Sequence, residues 1–156
     1  MHRHEALRTI FPARDGRPVQ VVTAPERFDL PVTDLAMLPR DVAEAEAERM
    51  AAEHAREPFD LGAGPLFRAA LLRVSADEWR LLVNLHHVIA DGWSLEVVFR
   101  ELAALYAARA EGRAPDLPPP GLQYPDFAAW QRRWLEGERL ERQLRWWRER
   151  LADAPV

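Results

Sequence analysis

Two apolar runs joined by a short polar turn constrain the fold of this chain more than any other feature of its sequence. Residues 66–74 and 79–86 are rich in Leu, Val, Ala and aromatic side chains, and Ser75-Ala76-Asp77-Glu78 connects them. Segments of this length and composition fit β-strands better than helices. Their density of apolar residues predicts two strands that are covered on both faces or nearly so.

A second hairpin is predicted near the start of the chain. Asp15-Gly16 stands between the β-prone segments 9–11 and 19–22, and Asp-Gly in that setting is a strong signal for a tight turn. Pro12 and Pro18 flank this turn. Because proline cannot donate a hydrogen bond to a neighbouring strand, these two strands are expected near a sheet edge.

Helices are predicted on the remaining periodic segments. Asp41 followed by Glu44 resembles a capping box and predicts a helix that ends near residue 57. Other helices are expected over residues 94–111, from Pro125, and after Gly137.

Two proline-containing segments are predicted to connect these elements. Residues 24–40 are expected to be a loop, and residues 112–123 a stiff proline-rich spacer. Together, these elements predict an α/β fold of the α+β sandwich type, in which a mixed sheet with hairpins is covered by helices on at least one side.

Composition excludes several classes of function. A net charge of −4 argues against a protein that acts on nucleic acid or on an anionic membrane. The chain has no Cys, and all 21 of its basic residues are Arg, so thiol chemistry and a lysine Schiff base are excluded. The sequence contains neither a bilayer-spanning apolar run nor a secretory signal, and a cytoplasmic location is expected.

The strongest candidate for chemistry is the segment Leu85–Ser94, in which a β-run ends at His86 and His87 and Asp91-Gly92 precedes a helix. Neighbouring strand residues point to opposite faces, so one imidazole can face a channel while the other packs inward, and the pair is poorly placed to chelate a metal. Asp91 also suits a helix cap, and Gly92 suits a turn that needs positive φ.

Three segments together resemble one known family. Residues 86–92 fit the motif HHxxxDG, residues 3–11 resemble RHExLRTxF, and residues 124–131 resemble YxDYAxWQ with Phe127 in place of a Tyr. In this order they are similar to the condensation domains of nonribosomal peptide synthetases, in the chloramphenicol acetyltransferase-like superfamily.

The resemblance implies amide bond formation between aminoacyl or peptidyl thioesters carried on the 4'-phosphopantetheine of peptidyl carrier domains. It implies that His87 is catalytic and that the chain itself binds neither cofactor nor metal. The implied partners are carrier domains and the rest of a multidomain synthetase, with no nucleic acid and no membrane. The residues expected to support His87 are His86, Asp91, Gly92, Arg3 and Arg8. Those assigned to the substrate channel or to packing are Trp93, Ser94, Tyr124 and Trp130.

Within that picture, Asp91 is expected to pair with Arg3 or Arg8, and the sequence does not choose between them. The N–H of Gly92, at a helix start, is a candidate donor to an oxyanion. The whole of residues 1–156 is expected to be a partial N-terminal lobe, incomplete at both ends and inactive in isolation.

Three other functions stay open at this point. One is a free-standing HxxxD-type acyltransferase that acts on a soluble alcohol or amine. Another is a relic that binds carrier proteins without catalysis. A nucleic-acid-binding tail is disfavoured, because Glu residues alternate with the Arg and Trp residues of segment 129–152.

Overall fold

The computed structural model describes residues 1–154. Residues 1–120 form one compact unit, and the residues from Gly121 onward form a second. The first unit holds all the strands and the histidine segment, and the second holds two helices. None of the helices within residues 1–154 is long and apolar enough to cross a bilayer.

The predicted N-terminal hairpin is confirmed. After a 3-10 turn at Glu5–Arg8, the chain forms β1 (Thr9–Ile10), β2 (Ala13–Arg14), β3 (Arg17–Pro18) and β4 (Val21–Val22). Strand β1 pairs with β4 and β2 with β3, both antiparallel. Asp15 and Gly16 at the tip have φ of 51° and 72°. Both values lie in the left-handed region that a tight hairpin turn requires, which explains the Asp-Gly pair.

Segment 24–40 is not wholly a loop, and this prediction was wrong in part. Strand β5 (Val32–Asp34) lies within it and runs parallel to a later strand, with Val32 opposite Leu71. Val32 is exposed, so β5 lacks the buried alternating side chains that reveal a strand in sequence. Its backbone pairing alone defines it.

Helix α1 (Arg40–Arg56) forms as predicted but does not start with a capping box. Its N-cap is Pro39, and no side chain caps it. Glu44 instead receives a hydrogen bond from Arg80 on a later strand. The carboxylate expected to cap the helix therefore ties the helix to the sheet.

The long hairpin is confirmed, as β6 (Phe67–Arg73) and β7 (Trp79–Leu85). The two strands pair antiparallel, and the sheet order is β5-β6-β7. One face of the hairpin packs against α1, where Leu72 is fully buried with Ala43 and Ala47.

The opposite face of this hairpin is partly exposed, so the expectation that both faces are covered was wrong for this face. Trp79 and Leu81 alternate with the residues that face α1, and they are 48% and 41% exposed. An apolar run shows that both faces are suited to burial, but it does not identify what covers them.

Helix α2 (Gly92–Ala110) follows the histidine segment, as predicted. Its predicted apolar stripe is only partly covered in the first unit. Leu95, Leu102 and Leu105 are all close to 40% exposed, whereas Ala108 is fully buried.

The second unit contains helices α3 (Tyr124–Trp134) and α4 (Gly137–Arg150), which confirms the predicted helices. Segment 112–123 holds no helix or strand. Pro125 occupies the first turn of α3, and Gln123 and Asp126 form a capping box that the sequence analysis missed. Successive ring centroids along α3 lie 5.6–5.8 Å apart in an aromatic row. Its members are Tyr124, Phe127, Trp130 and Trp134.

The start of the chain is fastened to α2 by a charged cluster, which we call the Glu101 cluster: Arg3, His4 and Glu101. Glu101 Oε2 lies 2.9 Å from Arg3 Nε and 2.6 Å from His4 Nε2. Arg3 also donates to the carbonyls of Leu117 and Pro118. Burial raises the pKa of Glu101, but the hydrogen bonds and charges of His4 and Arg3 outweigh it, and the net pKa is lowered.

We predict that Glu101→Gln lowers the free energy of unfolding by about 2 kcal/mol at pH 7, because it replaces charged hydrogen bonds by neutral ones. Since the pKa of Glu101 is depressed by folding, this stabilisation is present above about pH 5. It is lost as the pH falls below the ordinary pKa of glutamate and through the lower folded-state pKa. Urea unfolding of both proteins at pH 7, 5 and 3 measures the effect.

The matched control is Glu96→Gln, an exposed position on the same helix. It is expected to change the free energy of unfolding by less than about 0.5 kcal/mol. An equal loss in the two variants, or a Glu101→Gln effect as large at pH 3 as at pH 7, would contradict the prediction.

Candidate active site

The two histidines leave strand β7 into different surroundings. The N–H of His86 donates to Leu66 O at 3.0 Å, which continues the pairing of β7 with the residue before β6. The chain then turns, and the N–H of Ile89 donates back to His86 O at 3.0 Å. His86 is half-buried and His87 is exposed. The turn thus separates the two rings.

The ring of His86 is fixed by two contacts. Its Nδ1 accepts the N–H of Val88 at 3.0 Å, so Nδ1 carries the lone pair and Nε2 is the protonated nitrogen of the neutral ring. The ring also meets Phe59 edge-on, with centroids 5.8 Å apart and planes at 90°. These contacts give His86 a structural role in the turn.

His87 borders a cavity of about 330 Å³ at the end of the hairpin. Strand β7, the turn and the first residues of α2 supply its walls, which combine apolar side chains with one imidazole and one carboxylate. The lining residues are Val83, Asn84, Leu85, His87, Ala90, Asp91, Gly92 and Leu95. Residues 1–154 contain no group of three or more His, Asp or Glu side chains placed to hold a metal ion.

A larger depression of about 390 Å³ lies elsewhere in the first unit, lined by residues that include Arg8, Thr23 and Phe28. It contains neither histidine of the motif. The smaller cavity is the candidate active site, because an exposed imidazole and the N-terminus of a helix both border it.

Asp91 is the N-cap of α2. Its Oδ1 accepts the N–H of Ser94 at 2.9 Å and the hydroxyl of Ser94 at 2.6 Å. These two hydrogen bonds lower the pKa of Asp91 more than any other influence, burial opposes them, and a positive charge on His87 adds a small lowering. The interpretation of Asp91 as a helix cap is confirmed.

The expected ion pair between Asp91 and Arg3 or Arg8 stays a prediction. Arg3 binds Glu101, and Arg8 binds Glu5. Asp91 accepts two hydrogen bonds from Ser94.

The other candidate residues take distinct places. Gly92 is the first residue of α2 and does not have positive φ, so the turn explanation for this glycine was wrong. A Cβ there would meet nothing within 4 Å. Trp93 is 75% exposed. Tyr124 and Trp130 lie in the second unit, in the aromatic row of α3.

Sequence reasoning missed three residues that hold these elements: Phe59, Arg68 and Glu101. Phe59 stands in a loop, Arg68 is a charge within an apolar strand, and Glu101 is one of several acidic residues on its helix. Each acts on a partner distant in the chain. The one available signal was Arg68, since a charge inside a buried strand needs a partner.

Comparison with known proteins identifies the family of this chain. The family model for the Condensation domain matches residues 1–156. One of the proteins that make up linear gramicidin synthase from Brevibacillus parabrevis is 47% identical over 154 residues, which cover 99% of this chain and 3% of that protein. Phosphinothricin tripeptide synthetase PhsC from Streptomyces viridochromogenes is 46% identical over 153 residues, 98% of this chain and 14% of that protein.

The fold is matched by a crystal structure of the starter condensation domain of rhizomide synthetase RzmA, captured in a product-released conformation. The TM-score is 0.86 at 23% identity, and the match covers 99% of this chain and 35% of that one. The chain thus spans about a third of that solved domain and a small part of the curated relatives. It belongs to the condensation-domain family of nonribosomal peptide synthetases and has the chloramphenicol acetyltransferase-like fold of that family.

Proposed function

We propose that this chain supplies the catalytic histidine for amide bond formation between two carrier-bound thioesters. The observation that supports the proposal most directly is the exposed His87 beside the start of α2, in a chain that belongs to the condensation-domain family. In the reaction the amine of the acceptor attacks the thioester carbonyl of the donor. The C–N bond forms, the C–S bond breaks, and a proton passes from nitrogen to the departing sulfur.

His87 suits that proton transfer. An imidazole accepts and returns protons near neutral pH, and this ring borders the cavity while His86 is held in the turn behind it. As the C–N bond forms, the nitrogen becomes strongly acidic, and His87 takes its proton and delivers it to the thiolate. After both transfers, His87 has returned to its starting protonation state.

The start of α2 suits the oxyanion. The first N–H groups of a helix have no partner within the helix, and its N-terminus favours negative charge. Asp91 takes the N–H of Ser94, and Gly92 precedes it at the cavity wall. We propose that the N–H of Gly92 faces the oxygen of the tetrahedral intermediate.

The proposed partners are peptidyl carrier domains within a multidomain synthetase. The curated relatives are peptide synthetases, and the chain has no Cys to form a thioester itself. The thiols would therefore belong to 4'-phosphopantetheine arms on the carriers, and the chain would bind no cofactor of its own.

We predict that His87→Ala lowers the rate of condensation by at least about 100-fold. The assay uses a chimaeric synthetase in which residues 1–156 replace the matching segment of the linear gramicidin synthase relative. Donor and acceptor are loaded as thioesters, and the elongated product is followed by mass spectrometry. The control is His2→Ala, an exposed histidine outside the cavity, which is expected to retain full activity.

The other functions give different results in the same assay. Turnover of a folded His87→Ala chimaera would overturn the catalytic role. Transfer to a free alcohol or amine, but not to a loaded acceptor, would favour a free-standing acyltransferase. Carrier binding without turnover by an unmodified chimaera would favour a non-catalytic role. We expect the isolated 156-residue chain to be inactive. His87 is exposed, and the reaction needs both substrates to be held in position beside it.

We predict that Asp91→Ala lowers the melting temperature of the chain more than Asp91→Asn does, because Asn caps a helix about as well as Asp and Ala does not. Thermal unfolding monitored by circular dichroism measures both variants at pH 7. Equal losses in the two variants would contradict the capping role and would assign the loss to the negative charge itself.

We predict that Gly92→Ala leaves the melting temperature unchanged or raises it, since Ala is a better helix former than Gly and its Cβ would meet nothing within 4 Å. The backbone N–H stays in place in this variant. A loss of condensation activity of about tenfold or more in the chimaera would then mean that substrate approaches this backbone closely. A fall in the melting temperature of Gly92→Ala would contradict this prediction.

A further inference from the structure

A stack of three side chains lies directly behind the histidine turn: Arg68, Phe59 and His86. The guanidinium carbon of Arg68 is 4.0 Å from the centroid of the Phe59 ring, in a cation–π contact. The ring of Phe59 also meets the ring of His86 edge-on. We call this arrangement the Phe59 stack.

Arg68, on strand β6, is held in place by contacts with residues 57 and 58. Its Nη2 donates to the carbonyl of Glu57 at 2.6 Å and to that of Pro58 at 3.3 Å, and its Nη1 lies 2.7 Å from the Glu57 carboxylate. The side chain is 18% exposed. Arg68 therefore binds the backbone that leads into Phe59 and covers the ring of Phe59 at the same time.

The chain after Phe59 is fixed as well. Asp60 Oδ1 accepts the N–H groups of Gly62 and Ala63 at 2.8 and 3.1 Å, which closes a tight local turn. Phe59 is thus held between a clamped segment before it and a hydrogen-bonded turn after it. Its ring presents a defined edge to His86.

His86 passes this constraint to His87. The hydrogen bond from the N–H of Val88 to His86 Nδ1 spans the backbone of His87, which stands between them. Rotation of the His86 ring would break that bond and release the peptide unit between His87 and Val88, whereas the peptide unit before His87 stays bonded through His86 O. The His86 ring therefore holds one of the two peptide units that carry the His87 side chain.

We infer that Phe59 and Arg68 are positioning residues for His87, acting through the imidazole of His86. The catalytic part of this inference rests on the proposed function, whereas the mechanical part concerns this chain alone. Two measurements separate them.

The first measurement is NMR of the 156-residue chain. In the unmodified chain, long-range ¹H–¹⁵N spectra are expected to show an unprotonated Nδ1 and a protonated Nε2 for the neutral His86 ring, with a slowly exchanging Val88 amide. Phe59→Ala is expected to mix the two tautomers and to speed exchange of that amide at least tenfold. Phe59→Tyr retains the ring and is expected to restore both signals.

The matched control is Phe28→Ala. Phe28 is also a half-exposed phenylalanine whose ring contacts β6, with its centroid 5.0 Å from that of Phe67. This variant loses the same atoms and is expected to leave the His86 tautomer unchanged. A wild-type tautomer in folded Phe59→Ala, or the same change in Phe28→Ala, would overturn the inference.

Variants of His86 test the link to the turn. In His86→Asn the amide oxygen takes the place of Nδ1 and still accepts from Val88, whereas His86→Phe retains an aromatic ring without an acceptor. Slow exchange of the Val88 amide is expected to survive in the Asn variant and to be lost in the Phe variant. Slow exchange in both variants would overturn the role of this hydrogen bond.

The second measurement uses the chimaeric synthetase. Phe59→Ala and Arg68→Gln are expected to lower kcat by about 10- to 100-fold with KM little changed, because misplacement of a catalytic group acts on the chemical step. Phe59→Tyr is expected to recover most of kcat. If the unmodified chimaera is inactive, the proposed function fails and the NMR result still decides the mechanical part. A wild-type kcat in Phe59→Ala overturns the catalytic part.

Discussion

The register of strands β6 and β7 is the constraint on which the rest of the first unit depends. Seven residue pairs fix it, from Phe67 opposite Leu85 to Arg73 opposite Trp79. A slip of one residue would turn every side chain of a strand to the other face. Leu72 would then leave its buried place against α1. The same register ends β7 at one point, so the two histidines emerge where the cavity lies.

Local signals in the sequence were sufficient for much of this architecture. Asp15-Gly16 predicts a tight turn because its φ angles are the ones the turn needs. The long hairpin and helix α2 follow from apolar patterns that span many residues. Separate surroundings for His86 and His87 were also predicted, although the turn after His86, and not strand alternation, produces them. In each case the deciding interaction lies within a few residues of the signal, so the sequence contains the necessary information.

Contacts between distant residues were not predictable in the same way. Strand β5 is defined by pairing with β6 across the whole of α1, and its own side chains carry no burial pattern. Glu44 suits a capping box as well as an ion pair with Arg80, and tertiary structure selects the ion pair. Asp91 has the same ambiguity, because a carboxylate before a helix can cap that helix or bind an arginine. Here Asp91 caps the helix by accepting the N–H of Ser94.

Two independent attachments hold helix α2 beside the histidine turn. Asp91 caps its first turn, and the Glu101 cluster binds its middle to the start of the chain. Arg3 therefore acts on the helix that follows the HHxxxDG segment through Glu101. A rigid α2 keeps the N–H groups of its first turn at a constant distance from the turn that carries His87. The Phe59 stack fixes that turn from the opposite side, so the imidazole and the helix terminus are each held by contacts outside the cavity.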